Sequence, residues 1–205
     1  RARFRQEARV AAEIESEHIV DVFDAGIDEP TGLPFLVMEL LRGEELGTLI
    51  KRVGPLPKED VVRYLHETSL ALDKTHRARI VHRDLKPDNL FLCQREHGPP
   101  RIKVLDFGIA KIVKDAETQA NATRSLGTPL YMAPEQFVLR TTVSPAADIF
   151  ALGMIAFTML VGKPYWYEES KIASEMVAFV MHVAHGPTES AVARAWEQAR
   201  VALPN

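Results

Sequence analysis

The feature that most restricts how this chain can fold is an apolar run, Ile149 to Gly162, with the acid Asp148 directly before it. The run is 14 residues long, whereas a helix needs about 20 to cross a bilayer. The expectation is therefore a helix buried in a protein core, with no transmembrane segment. The clearest amphipathic helix lies upstream, at Lys58 to Arg77, where Val61, Tyr64, Leu65, Thr68, Leu72 and His76 recur at spacings of three or four.

The remaining segments divide by character. Residues 3–17 are charged and helix-favouring, with Phe4, Ala8, Ala11 and Ala12 on one face. Ile19 to Phe23 and Phe35 to Leu40 read as strands, and Gly26, Pro30, Gly32 and Pro34 punctuate a hairpin-like connection between them. Residues 44–52 fit a short helix closed by Gly54 and Pro55. Arg79 to Val81, Leu90 to Cys93 and Ile102 to Leu105 are short pieces of strand type, and residues 106–135 carry no periodicity. A structureless stretch of that length inside a compact domain is usually functional or mobile. From Ala146 onward the pattern is helical. Strands first and helices later predict an α+β protein with a small sheet region and a mostly helical region.

Composition excludes several classes. Hydrophobic residues make up 46% and charged residues 26% of the 205 positions, which is ordinary for a soluble globular protein and unlike a disordered or collagen-like chain. The net charge of −3 is a poor match to a nucleic-acid binder that works by neutralising phosphates. The single cysteine, Cys93, excludes an internal disulfide and a cysteine-cluster metal site, and it fits a reducing compartment. The chain starts at Arg1, with no charged-then-apolar signal segment, and ends at Asn205 with no helix stop. The expectation is a fragment of a longer protein, cytoplasmic in this part, with a membrane anchor outside the fragment left open.

The chemistry is concentrated in three segments: His82-Arg83-Asp84-Leu85-Lys86-Pro87-Asp88-Asn89, then Asp106-Phe107-Gly108, then Ala133-Pro134-Glu135. In this order they match the catalytic loop, magnesium-binding loop and activation-segment terminus of protein kinases. The chain therefore resembles a serine/threonine protein kinase of the eukaryotic type, and wording such as GTPLYMAPEQ is similar to the bacterial branch of that family. The six letters H, R, D, K, P and N of the first segment would match by chance in about three of a million such chains, whereas Asp-Phe-Gly alone would occur in about one in forty.

The resemblance implies an α+β, two-lobed fold that uses ATP and Mg2+ to phosphorylate Ser or Thr hydroxyls of protein substrates. Phosphoryl transfer needs positioning and charge neutralisation more than covalent help. Asp84 would orient the substrate hydroxyl and accept its proton, and Lys86, which marks the serine/threonine class, would reach the transferring phosphate. Asn89 and Asp106 would hold the metal through oxygen. Met38 matches the gatekeeper, and Glu39 to Leu41 match the hinge whose backbone binds adenine. Glu45 aligns with a ribose or peptide contact, or is a plain helix-start acid; Phe91 aligns with the floor of the adenine pocket, or is ordinary core packing. Glu7 resembles the glutamate that pairs with the ATP-binding lysine, the other reading being a solvated surface acid. His82, Phe107, Glu135 and Asp148 fall at supporting positions, with Asp148 and Gly153 in the buried helix whose aspartate braces the catalytic loop.

Regulation is implied too. Arg83 directly before Asp84 is the arrangement of kinases switched on by activation-loop phosphorylation, and Thr123 and Ser125 are the favoured hydroxyls. Thr118 is disfavoured by Asp115 and Glu117, and Thr128 resembles the substrate-loop threonine that contacts Asp84 and Lys86. His18, His66, His76, His97, His182 and His185 show no ligand spacing and read as filler, and Trp166 and Trp196 as helix packing. The resemblance covers roughly residues 3–165 and lacks the Gly-rich loop and strand lysine. It divides the chain into residues 1–41, the remainder of the small lobe and the hinge, and residues 42–205, a large lobe with incomplete terminal helices. A pseudokinase or scaffold that binds partners without catalysis is the alternative, and intact motifs argue against it. A small-molecule phosphotransferase is opposed by Lys86 and the Ala133-Pro134-Glu135 terminus.

Overall fold

The structure, a computed structural model, describes residues 14–105, 129–138, 141–172 and 176–199. Its strands are β1 (Val22–Ile27), β2 (Pro34–Met38), β3 (Gly43–Glu45), β4 (Leu90–Cys93) and β5 (Arg101–Val104). Its helices are α1 (Leu46–Val53), α2 (Lys58–Arg77), α3 (Ala146–Val161), α4 (Tyr167–Ile172), α5 (Met176–Ala184) and α6 (Ala191–Ala199). Strands β1 and β2 form an antiparallel hairpin with a bulge between Val22 and Asp24, and β3-β4-β5 form a separate antiparallel sheet. Short 3-10 turns lie at Pro87–Asn89, Pro129–Tyr131 and Pro134–Phe137.

Helix α3 is buried on two sides, as an all-round apolar helix must be. Ala151, Ile155 and Met159, one helical turn apart, join a core with Leu46, Leu72, Leu90 and Val104 from α1, α2, β4 and β5. Met154, Phe157 and Val161 join a second core with Tyr165, Trp166, Phe179 and Val183. The helix therefore links the two cores, and Asp148 in its first turn is carried to where α2 ends.

Helix α2 follows Pro57, with Glu59 and Asp60 in its first turn and Lys74, His76 and Arg77 in its last, charges that suit the helix dipole. Val61, Tyr64, Thr68 and Leu72 are buried as the periodicity requires. Strand β4 likewise occupies the expected residues.

Two strand expectations are corrected. Residues 79–81 are not a strand: Arg79 takes a left-handed φ of 60° and closes α2. Its N–H donates to His76 O (2.9 Å), and the N–H of Ile80 donates to Thr75 O (2.8 Å), the bond pair of a Schellman cap. The first strand begins at Val22 rather than Ile19. Ile19, 3% exposed and part of the main core, makes only a single parallel bridge to Val104, carried by the Val20 N–H to Val104 O (3.1 Å) and the Val104 N–H to His18 O (2.9 Å). Trp166 is fully buried as expected, but Trp196 is 54% exposed. Arg194 and Ala195 face the core, and one further residue turns the helix by about 100°.

Candidate active site

The centre of the site is the loop from His82 to Asn89, and Asp148 sets its shape. The Asp148 side chain is 1% exposed, and a buried carboxylate is costly unless hydrogen-bonded. Here the backbone N–H of His82 donates to Oδ2 (2.8 Å), the backbone N–H of Arg83 donates to Oδ1 (2.9 Å), and His76 Nε2 lies 2.7 Å from Oδ2. His76, read from sequence as filler, thus ties the end of α2 to the same carboxylate. Nothing in its local sequence signals this, since Asp148 is 72 positions away.

His82 is fully buried and joins the loop to β5. The N–H of Asp84 donates to its Nδ1 (3.3 Å), so Nε2 carries the ring hydrogen and donates to Leu105 O (2.8 Å). Leu105 directly precedes Asp106 in sequence, and its N–H donates to Asn89 O (2.9 Å).

These anchors bring Asp84, Lys86 and Asn89 together. Lys86 Nζ is 3.4 Å from Asp84 Oδ2. Asn89 is 7% exposed, and its Nδ2 donates to the Asp84 carbonyl (2.7 Å) and lies 3.5 Å from Asp84 Oδ2. With Nδ2 turned to Asp84, the amide oxygen Oδ1 faces the other way, as a donor to a hard cation must. The Asp84 carboxylate is 46% exposed, so a substrate can reach it. Asp84 and Lys86 line a cavity with Tyr131, Met132, Gln136 and Ala151. Burial pushes the Tyr131 phenol up to about 12, against the opposing hydrogen bond with Thr158.

The hinge-side candidates gather around the two sheets. Met38 ends β2 opposite Val22. The Glu39 N–H donates to Asp21 O (3.0 Å), its Oε1 accepts from the Asp21 N–H (2.9 Å), and its carboxylate pairs with Lys103 of β5. That ion pair was not foreseen from sequence. Leu41 is half-buried, while Leu40 is 91% exposed. Glu45 stands at the N-cap of α1 without a side-chain capping bond, and it pairs in register with the half-buried Phe91. Gly43, two residues earlier, is required by geometry: at φ 147° a Cβ there would lie 1.9 Å from Leu92 O. Glu135 is half-buried in the turn Pro134–Phe137. Glu7, Asp106, Phe107, Thr123, Ser125 and Thr128 lie outside the described residues.

Comparison with known proteins decides the family. A model described as protein kinase domain matches residues 1–200. The chain belongs to the protein kinase domain family. Among its relatives is serine/threonine-protein kinase Pkn1 of Myxococcus xanthus, 43% identical over 86% of this chain and 24% of that protein. Another is serine/threonine-protein kinase PknA of Mycobacterium tuberculosis, 38% identical over 78% of this chain and 37% of PknA. The kinase chain thus spans well under half the length of these relatives. In solved structures, the Mycobacterium tuberculosis PknI kinase domain superposes with a TM-score of 0.65 and 27% identity, over 89% of this chain and 65% of that one. Rad53 in complex with AMP-PNP superposes with a TM-score of 0.68 at 24% identity, over 89% of this chain and 43% of that one, and shows the shared fold. The mixed architecture with a helical larger part is that of the protein kinase fold. Among the described residues, no helix is long and apolar enough to cross a membrane.

Proposed function

We propose that the protein containing this chain is a serine/threonine protein kinase that transfers the γ-phosphoryl group of ATP to Ser or Thr hydroxyls of protein substrates. The observation that carries the reading is the convergence of Asp84, Lys86 and Asn89 on a loop whose backbone is held by Asp148. Asp84 orients the attacking hydroxyl and takes its proton, and Lys86 stands within reach of the phosphate oxygens. Asn89, through Oδ1, and Asp106 would hold Mg2+. The ion, when bound, supplies charge neutralisation to the phosphates. Met38, Glu39, Leu41, Glu45 and Phe91 are proposed for the nucleotide side. Residues 1–41 are assigned to the remainder of the small lobe and the hinge, and residues 42–205 to the large lobe. ATP as co-substrate, with Cys93 as the single cysteine, fits a cytoplasmic location.

Activation by phosphate on Thr123 or Ser125 belongs to the same reading. Arg83 would grip a group that adds about −1.5 to −2 charge and three acceptor oxygens. The test is transfer of labelled phosphate from ATP to a generic protein substrate by the full-length protein. Asp84→Asn should lower the rate at least 100-fold with the fold intact, since positioned acid–base groups contribute about 10²–10⁴-fold. Activity within about threefold of wild type would remove Asp84 from its role, and no transfer by the wild type would favour a scaffold.

A further inference from the structure

Arg83 is one of two non-glycine residues in the described chain with a left-handed backbone, at φ 65°. Such a conformation persists only where surrounding contacts over-determine it. One contact is known from the site: its N–H donates to Asp148 Oδ1 (2.9 Å). The other comes from Gln136, the last residue of the GTPLYMAPEQ segment, to which the sequence reading gave no role. Gln136 Nε2 donates to the carbonyl of Arg83 (2.7 Å), while Gln136 Oε1 accepts from the backbone N–H of Ala133 (3.0 Å). The amide orientation is unambiguous, because a flip would set oxygen against a carbonyl and nitrogen against an N–H.

The group Gln136 holds is the peptide unit between Arg83 and Asp84. Its carbonyl is fixed by Gln136, and its N–H donates to His82 Nδ1 (3.3 Å). Rotation of that unit would move the Asp84 carboxylate away from Lys86 Nζ and Asn89 Nδ2, which now lie 3.4 and 3.5 Å from its Oδ2. We propose that Gln136 is a positioning residue for Asp84, its side-chain amide locking the Arg83–Asp84 peptide plane and joining the Ala133–Phe137 turn to the catalytic loop. The inference rests on the reading of Asp84 as the base. It adds a link absent from that reading: order in the turn at the end of the activation segment is transmitted to the base through one amide.

The test uses the full-length protein with two readouts. Gln136→Leu keeps the volume and removes both hydrogen bonds, and Gln136→Glu keeps the acceptor for Ala133 while turning an oxygen toward the Arg83 carbonyl. Both should lower kcat at least tenfold with KM for ATP within about twofold, because the defect lies in alignment rather than nucleotide binding. Amide hydrogen exchange at Asp84 should speed up at least tenfold in both. Glycine adopts left-handed backbone without strain, so the kcat loss from Gln136→Leu should shrink to under about threefold in an Arg83→Gly background. An unchanged kcat, unchanged exchange at Asp84, or an equal loss in both backgrounds would overturn the proposal. Should Gln136→Leu fail to fold, Gln136→Glu and its exchange decide the matter by the same limits. The exchange readout does not depend on catalysis, so it separates failure of this proposal from failure of Asp84→Asn to abolish transfer.

Discussion

Replacing Arg79 with glycine should make the protein more stable, although the position lies beside the catalytic loop. Arg79 sits at φ 60° with an exposed side chain. A left-handed backbone costs a residue with a Cβ about 1–2 kcal/mol, from the approach of Cβ to the carbonyl oxygen. Glycine avoids that cost but has more backbone freedom to lose on folding, roughly 0.5–1 kcal/mol. The Schellman bonds from Arg79 and Ile80 to His76 and Thr75 are backbone bonds and survive the change. The net gain is about 0.5–1 kcal/mol, and in a domain of 150–250 residues each 1 kcal/mol raises Tm by about 2–4 °C. Urea denaturation of the full-length protein measures it as a shifted midpoint at constant slope. Arg79→Ala is the control: it keeps the Cβ and removes the guanidinium, so its stability should stay within about 0.5 kcal/mol of wild type. A glycine variant no more stable than wild type, or an alanine variant that matches the gain, would refute the strain argument.

Three further outcomes are expected. Asp148→Ala strands the buried N–H group of His82 and the part-buried one of Arg83, at about 1–3 kcal/mol for the first and less for the second, so denaturation should show a loss of about 2–4 kcal/mol together with loss of transfer; a loss under 1 kcal/mol would contradict the anchoring role. Gly43→Ala forces a Cβ to within 1.9 Å of Leu92 O and should cost about 2–4 kcal/mol by the same assay, while wild-type stability would contradict the Gly43–Cys93 register. The raised Tyr131 phenol stays protonated in the folded protein up to about 12, whereas the unfolded chain releases the proton near 10. Its contribution is therefore complete below pH 10 and declines as pH rises toward 12. Tyr131→Phe should remove about 2–3 kcal/mol of that decline, read by comparing denaturation midpoints of the two proteins across this range.

What was legible in the sequence was what is local. Helix α2 could be bounded to Lys58 and Arg77 because its period and its terminal charges are written within one segment. Asp84, Lys86 and Asn89 could be grouped because one turn of loop brings them together. Arg79 misled the strand reading because the left-handed cap is commonly marked by glycine, and here an arginine fills it. His76, Lys103 and Gln136 went unrecognised because their partners Asp148, Glu39 and Arg83 lie 72, 64 and 53 positions away. Propensity and period carry no information at such separations. The apolar helix was foreseen as buried, yet its double burial between two cores depends on residues beyond position 164 whose pattern alone does not reveal a partner.

The anchoring of the loop by Asp148 also bears on how the protein is made. The bond from the His82 N–H spans 66 positions, and the one from Arg83 spans 65. On a ribosome that adds roughly 5–20 residues per second, His82 precedes its anchor by about 3–13 s. Through that interval the loop bearing Asp84 has no carboxylate to close on, and the entropy of ordering it is unmatched by contacts. A nascent chain is thus denied an assembled site until the start of α3 has emerged, so a translation product cut short before α3 would carry the motif without the means to shape it.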